Sequence, residues 1–261
     1  MLLNIRSHAS YQLPNETFVL LMVEPAIDGT RHHVNDCSLA TSNTLQTELW
    51  NDIYGNPVRR MMAPQGEFSF EYNAQIEAQT NTVTPPDAPE LNPADIPAEC
   101  LIYTVPSRYC QSDKLQRLAM SEFGAMTPGG SRVGTIAKWI RERVEYQYGT
   151  TDAMTDAFDT ATSRVGVCRD FAHLMISFCR ALGVPARYVS GYCLDLEPPD
   201  FHAWVQVYVG DAWYNIDATH EGVRPALVPI AYGRDAADVP MTTLFGNSEL
   251  NSQTVEVSRA D

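Results

Sequence analysis

Residues 166–192, GVCRDFAHLMISFCRALGVPARYVSGY, hold a helix with both ends marked and the strand that follows it. Phe171, Leu174, Met175, Phe178 and Leu182 recur at helical spacing and form one apolar stripe. Gly183 supplies the stop and Pro185 prevents continuation. At the other end Gly166 closes the preceding segment, so Cys168 stands at the start of the helix. PARYVSGYCL (185–194) then reads as a strand.

Working outward, FHAWVQVYVG (201–210) and AWYNIDAT (212–219) flank Gly210-Asp211, a pair suited to a tight two-residue turn. Such a turn sets Val209 opposite Ala212 and Trp204 opposite Asp217. His202, two residues from Trp204, shares its face, so Asp217 is predicted to be its diagonal neighbour. A longer turn would shift the register and separate them. ALVPIAYG (226–233) and NSQTVEVS (251–258) read as further strands. Upstream, Ser112 is a cap for a helix carrying Leu115, Leu118 and Ala119, ending near Gly124. TPGGS (127–131) breaks the chain, and Ser131 caps a longer helix with Val133, Ile136, Ala137, Ile140 and Val144 on one face. TDAFDTATSRVG (155–166) holds a shorter helix, capped by Thr155 or Asp156 and ended by Gly166. Helices followed by an antiparallel sheet make an α+β pattern.

Residues 1–82 differ in kind. FVLLMVE (18–24), TLQTELWNDIY (44–54) and the alternating EFSFEYNAQIEA (67–78) are short strands. Turn signals at Asp28-Gly29, Gly55-Asn56-Pro57 and Pro64-Gln65-Gly66 separate them, which suggests a β-sandwich-like domain. VTPPDAPELNPADIPA (83–98) carries five prolines and reads as a linker or strap. The expected organisation is therefore 1–82, a linker at 83–98, and a second domain at 99–261.

The formal charge of −14, from 32 acidic and 18 basic residues in 261, disfavours nucleic acid and anionic membrane as partners. MLLNIRSHASYQLP does not read as a signal peptide, and no window approaches 18 apolar residues, so a cytoplasmic location is expected. Cys37, Cys100, Cys110, Cys168, Cys179 and Cys193 then read as free thiols; a Cys100–Cys110 bridge would need export. Without a CxxC pair or an EF-hand loop, no metal and no cofactor is expected. The adjacent His32-His33 rings face opposite sides of any strand and do not make a metal site.

Thiol chemistry needs thiolate, which a helix N-terminus and a neighbouring imidazolium both favour. Cys168 has the first device. His202 offers the second, and Asp217 would orient it as the third member of a triad. The remaining candidates have plainer readings. Cys179 and Cys193 are core thiols, and His173, five residues past Cys168, is structural. Asp170 satisfies the helix end or pairs with an arginine such as Arg187. His220 is a rim residue. Trp204 and Tyr146 are the candidate substrate-binding side chains. Tyr146, Tyr148 and Thr150-Thr151 compete for the second oxyanion donor beside the Cys168 N–H.

These residues carry a family likeness. GVCRDFAHLMISFCRALGVPARYVSGY with FHAWVQVYV and WYNIDAT resembles the transglutaminase-like superfamily, and within it the bacterial candidate-cysteine-protease branch. GRDAADVP (233–240) resembles the branch's C-terminal segment, and the N-terminal β-region resembles the domain preceding its catalytic part. The resemblance implies a papain-like catalytic domain with a triad at Cys168, His202 and Asp217. Ala218 departs from it, standing where the family commonly has proline. The Arg-Gly-Gly that arylamine N-acetyltransferases carry ahead of the cysteine is absent from Ser163-Arg164-Val165-Gly166-Val167, and the CxxC zinc site of peptide N-glycanases is absent too. The expected substrate is a peptide or protein amide, attacked to give a thioester. Water would resolve it in a peptidase or amidase and an amine in a transglutaminase; the protease-branch likeness favours water. A reading from another class is a binding module on a retired enzyme fold.

Overall fold

The opening stretch, Leu2–Leu13 (β1), is an inner strand of the first sheet. The computed structural model describes residues 1–26, 32–79 and 84–260; the turn read at Asp28-Gly29 lies outside them. Five more strands follow: Thr17–Leu21 (β2), His32–Thr41 (β3), Glu48–Asn51 (β4), Pro57–Ala63 (β5) and Gly66–Ala78 (β6). The alternation legible in 67–78 is real. Phe68, Phe70, Tyr72, Ala74, Ile76 and Ala78 are buried, with less buried residues between them.

The helical part comprises Ser112–Phe123 (α1), Gly130–Arg143 (α2), Ala157–Ser163 (α3) and Cys168–Ala181 (α4). The two-residue strands Glu145–Tyr146 (β7) and Val165–Gly166 (β8) pair in parallel beside α4. Ala186–Cys193 (β9), His202–Val209 (β10), Ala212–Ile216 (β11) and Leu227–Gly233 (β12) form an antiparallel sheet in the order β11-β10-β9-β12. The protein is thus α+β, with mostly antiparallel sheets and few helices. The last two strands, Thr242–Phe245 (β13) and Glu249–Arg259 (β14), return to the N-terminal sheets. One sheet runs β14-β1-β6-β3 and the other β13-β2-β5-β4, so residues 242–259 complete what residues 2–78 begin. Among the described residues no helix is long and apolar enough to cross a membrane.

Helix α4 is buried nearly all round, with α1, α2 and α3 against it on one side and β9 and β10 on the other. Its Arg180, 4% exposed, ties three other segments to it. The guanidinium donates to the carbonyls of Ala186 (2.8 Å), Val105 (3.1 Å) and Arg234 (2.6 Å) and to Ser107 Oγ (3.0 Å). Arg180→Met fills similar volume but leaves those carbonyls without their donor. The expected loss is about 3 kcal/mol, read as a lower midpoint in urea unfolding.

Two helix starts differ from the sequence expectation. Ser112 is itself the first residue of α1, with no side-chain cap from Gln111 before it. Ser131 does not cap α2. Its N–H and that of Gly130 donate to the carbonyls of Pro86 and Ala88, both at 2.9 Å. Glu90 accepts from Gly129 N at 2.8 Å and forms a buried ion pair with Arg132. The proline-rich segment is therefore a strap that caps α2 from outside the helix. Its approach requires glycine, since a Cβ on Gly130 would stand 2.0 Å from the Pro85 carbonyl oxygen. The strap also accepts from Gly210 N through Pro89 O at 2.9 Å. Asp156 does cap α3, accepting from Phe158 N and Asp159 N. That helix ends at Arg164 in the left-handed region, φ 62°, ahead of Gly166.

Candidate active site

The hairpin register is the one that the two-residue turn predicts. Gly210 and Asp211 have φ of 55° and 62°, and Val209 pairs with Ala212 and Val205 with Ile216. Asp217, just past β11, reaches diagonally to His202 at the start of β10, with 2.7 Å between His202 Nε2 and Asp217 Oδ2. Both are buried. Asp217 Oδ2 also accepts from Arg224 Nε at 2.9 Å, and Oδ1 accepts from Thr219 N (2.9 Å) and Thr219 Oγ1 (2.6 Å). Four donors from three residues thus fix one carboxylate. Burial alone would raise its pKa, but His202, Thr219 and Arg224 hold it far below the usual carboxylate range.

Cys168 is half-buried at the N-terminus of α4, and its thiol lies beside the His202 ring. His202 Nδ1 has no conventional hydrogen-bond partner, which makes it the nitrogen available to the thiol. Burial opposes a charged ring. The Asp217 hydrogen bond, the Cys168 contact and their negative charges outweigh burial and raise the His202 pKa to about 9. By contrast, burial pushes Cys110, Cys179 and Cys193 up to about 12 each, which makes them poor nucleophiles at neutral pH.

The start of α4 is built around Asp170. Its Oδ2 accepts from Val167 N (2.9 Å) and Thr151 Oγ1 (2.8 Å), and its Oδ1 accepts from Arg169 Nε (3.1 Å). The arginine partner is therefore Arg169, not Arg187. Gly166 makes room, because a Cβ there would be 2.7 Å from the Asp170 Cβ. Tyr146, paired with Gly166 across the β7–β8 bridge, sets its hydroxyl against the Cys168 backbone N–H and is 39% exposed. Burial, and next the charge of Cys168, keep that hydroxyl protonated. Tyr148 lies edge-on to Tyr146, 5.4 Å between ring centres. Thr151 is occupied by Asp170, and Thr150 Oγ1 donates to Gln147 O.

Trp204, the other candidate substrate-binding side chain, lies on the buried side of His202. It is 1% exposed and stacks on His202 at 6.2 Å between ring centres, with its Nε1 donating to Asn215 Oδ1 at 3.0 Å. It supports the imidazole from below. Gly191, opposite His202 on β9, is what admits it: a Cβ there would lie 2.4 Å from Trp204 Cη2 and 2.3 Å from the Val228 carbonyl oxygen. Gly191→Ala is expected to cost about 1–3 kcal/mol in denaturant unfolding and to disturb His202, because neither neighbour is a flexible chain end.

His173 is structural. Fully buried between Tyr109 and Tyr188, its Nε2 accepts from Ala236 N at 3.2 Å, and burial, then Arg169 and Arg180, keep it neutral. His220 lines a cavity of about 200 Å³ that adjoins Asp217. Among the described residues no three His, Cys, Asp or Glu side chains are grouped to hold a metal. Sequence reasoning missed Thr219 and Arg224. An Asx turn, Asp217 to Thr219, was a findable signal; nothing local marked Arg224.

Residues 119–218, which include all three side chains, match the profile of the transglutaminase-like superfamily. Over its whole length the chain is similar to a candidate cysteine protease from Cytophaga hutchinsonii of known crystal structure. The two share 40% identity and a TM-score of 0.93, covering 100% of this chain and 91% of that one. It is also 34% identical over 143 residues to an uncharacterized protein of Mycobacterium leprae, covering 49% of this chain and 50% of that one. An uncharacterized protein of Mycobacterium tuberculosis is 30% identical over 164 residues, 56% of this chain and 52% of its own. The chain spans about half the length of these mycobacterial relatives.

Proposed function

The chain belongs to the transglutaminase-like superfamily, and from that premise we propose that it is a thiol acyl-transfer enzyme acting on amide bonds through Cys168, His202 and Asp217. The observation that carries this reading is the buried 2.7 Å His202–Asp217 pair with the Cys168 thiol against the same ring. A ring that keeps its charge up to about pH 9 lies against the thiol, where an imidazole can serve as its acid–base partner. The thiolate attacks the amide carbon. The resulting oxyanion is met by the Cys168 N–H, with the protonated Tyr146 hydroxyl as second donor. His202 gives its proton to the leaving nitrogen as the C–N bond breaks, leaving a thioester. The neutral imidazole then takes a proton from water, hydroxide adds to the thioester carbon, and the thiolate leaves as the carboxylic acid is released. Asp217 orients the ring throughout, and Trp204 positions it from the buried side. We read the two sheets built on residues 2–78 and completed by residues 242–259 as the faces of a β-sandwich beside the catalytic part, which begins at 99 and whose last strand is β12.

Hydrolysis is the better reading because the relative similar over its whole length is a candidate cysteine protease. Transamidation would use the same triad with an amine in place of water. Incubation with peptide and glutamine-donor libraries, with and without a primary amine, separates them by product mass. Cleavage or deamidation that is insensitive to amine, and absent in Cys168→Ala, is expected. A non-catalytic binding module would show none of these products. Alkylation across pH checks the nucleophile independently: if Cys168 reacts no faster than Cys37, the exposed thiol, the proposal fails.

A further inference from the structure

A cavity of about 560 Å³ lies away from the triad and shares no residue with it. It forms where three parts of the chain meet: the β4–β5 turn, the short 3-10 segment Ala98–Thr104, and the β9–β12 sheet. Such junctions, at this volume, are where small-molecule sites are commonly built. Its walls are aromatic. Tyr103 stands edge-on to Trp213 at 5.5 Å between ring centres and lies 6.4 Å from Tyr54. Its mouth carries Ile53, 92% exposed, and Ile102, 44% exposed, both large apolar side chains left open to water.

The charged groups on the lining are Arg187, Arg234 and Glu99, and Arg234 is already paired with Asp238, whose Oδ2 also accepts from the Tyr54 hydroxyl at 2.8 Å. Arg187 is held in place: its guanidinium carbon is 4.3 Å from the Trp213 ring centre and 3.9 Å from that of Tyr232, and it donates to Gln206 Oε1 at 2.6 and 2.8 Å. Arg234 is oriented by Asp238 at 2.9 and 3.0 Å. A fixed cation beside aromatic walls loses little freedom when a ligand arrives.

We propose that this cavity is a second binding site, and that its ligand is a small aromatic carboxylate, the ring lying among Tyr54, Tyr103 and Trp213 and the anion facing the fixed guanidinium of Arg187. The test is calorimetric titration of the full chain with indole-3-acetate, the neutral indole-3-acetamide and the cationic tryptamine. Indole-3-acetate is expected to bind about tenfold or more tightly than the amide, and tryptamine not at all. Ile102→Glu and Ile53→Glu, which set a carboxylate at the mouth, should each weaken indole-3-acetate about tenfold while leaving the melting temperature unchanged. Ile53 is exposed enough that its variant folds regardless. Cys168→Ala should bind like the wild type, so this result stands apart from that of the amide assay. Equal affinity for acid and amide, binding unmoved by Ile53→Glu, or no binding by indole-3-acetate would each overturn the proposal.

Discussion

Cys168→Ala is expected to lower amide turnover about 10³-fold or more while the protein melts as before. The two halves of this expectation have different origins. Cys168 is half-buried at a helix start, so removing sulfur leaves a shallow gap at the surface and little lost packing. The chemistry has no substitute, because burial pushes the alternative thiols Cys110, Cys179 and Cys193 up to about 12. Turnover measured on the peptide substrate found in the library screen, with circular dichroism melting of both proteins, decides the matter. Residual activity within tenfold of wild type would show that another group is the nucleophile.

The second large effect is expected at Asp217. Asp217→Asn preserves shape but deprives His202 and Arg224 of their shared anion. Buried His202 and partly buried Arg224 are left with a neutral partner, and breaking a buried pair costs about 3–5 kcal/mol. The His202 pKa should fall from about 9 toward or below its ordinary 6.5, because burial, the opposing influence, remains. With the imidazole then mostly neutral at pH 7, turnover should drop about 10²–10⁴-fold with the alkaline limb of the pH profile moved toward neutrality. Stability should report the same pair. His202 has a raised folded pKa, so its contribution is full below about 6.5 and disappears as pH rises through about 9. Asp217 has a lowered one, so its contribution is full above 3.8 and disappears as pH falls through its folded value. The gap in unfolding free energy between wild type and Asp217→Asn is therefore expected to be widest between about pH 4 and 6.5 and to narrow above that. A gap that stays flat from pH 5 to 10 would mean that the pair does not hold the proton as described.

Much of the site was legible because its geometry is local. A Gly-Asp pair dictates a two-residue turn, the turn dictates the register, and the register puts Asp217 diagonal to His202. Asp156 as a cap and the alternation of β6 follow from equally short-range rules. What sequence reading missed is held by long-range contacts. Glu90 caps a helix about forty residues away, so the local candidate, Ser131, was the natural choice and not the right one. Arg187 went to Trp213, Tyr232 and Gln206 because the sheet brings those three together, while Arg169 took Asp170 by simple adjacency. Trp204 was placed on the correct face, but burial depth is a property of what lies over a sheet, and no periodicity reports that. β14 was found as a strand. Its near-uniform exposure gave no stripe from which its destination could be inferred.

That destination bears on how the protein is made. Strand β1 lies between β6 and β14, with Leu3 opposite Arg259 and Ala260 N donating to Leu2 O at 3.0 Å. β1 therefore leaves the ribosome long before its neighbour β14. The α-helical part and the β9–β12 sheet can assemble while synthesis continues. Throughout that time β1 has one edge of unsatisfied backbone donors and acceptors open to any other nascent chain. A pause in translation ahead of the β14 residues would lengthen that exposure without changing a single residue of the folded chain.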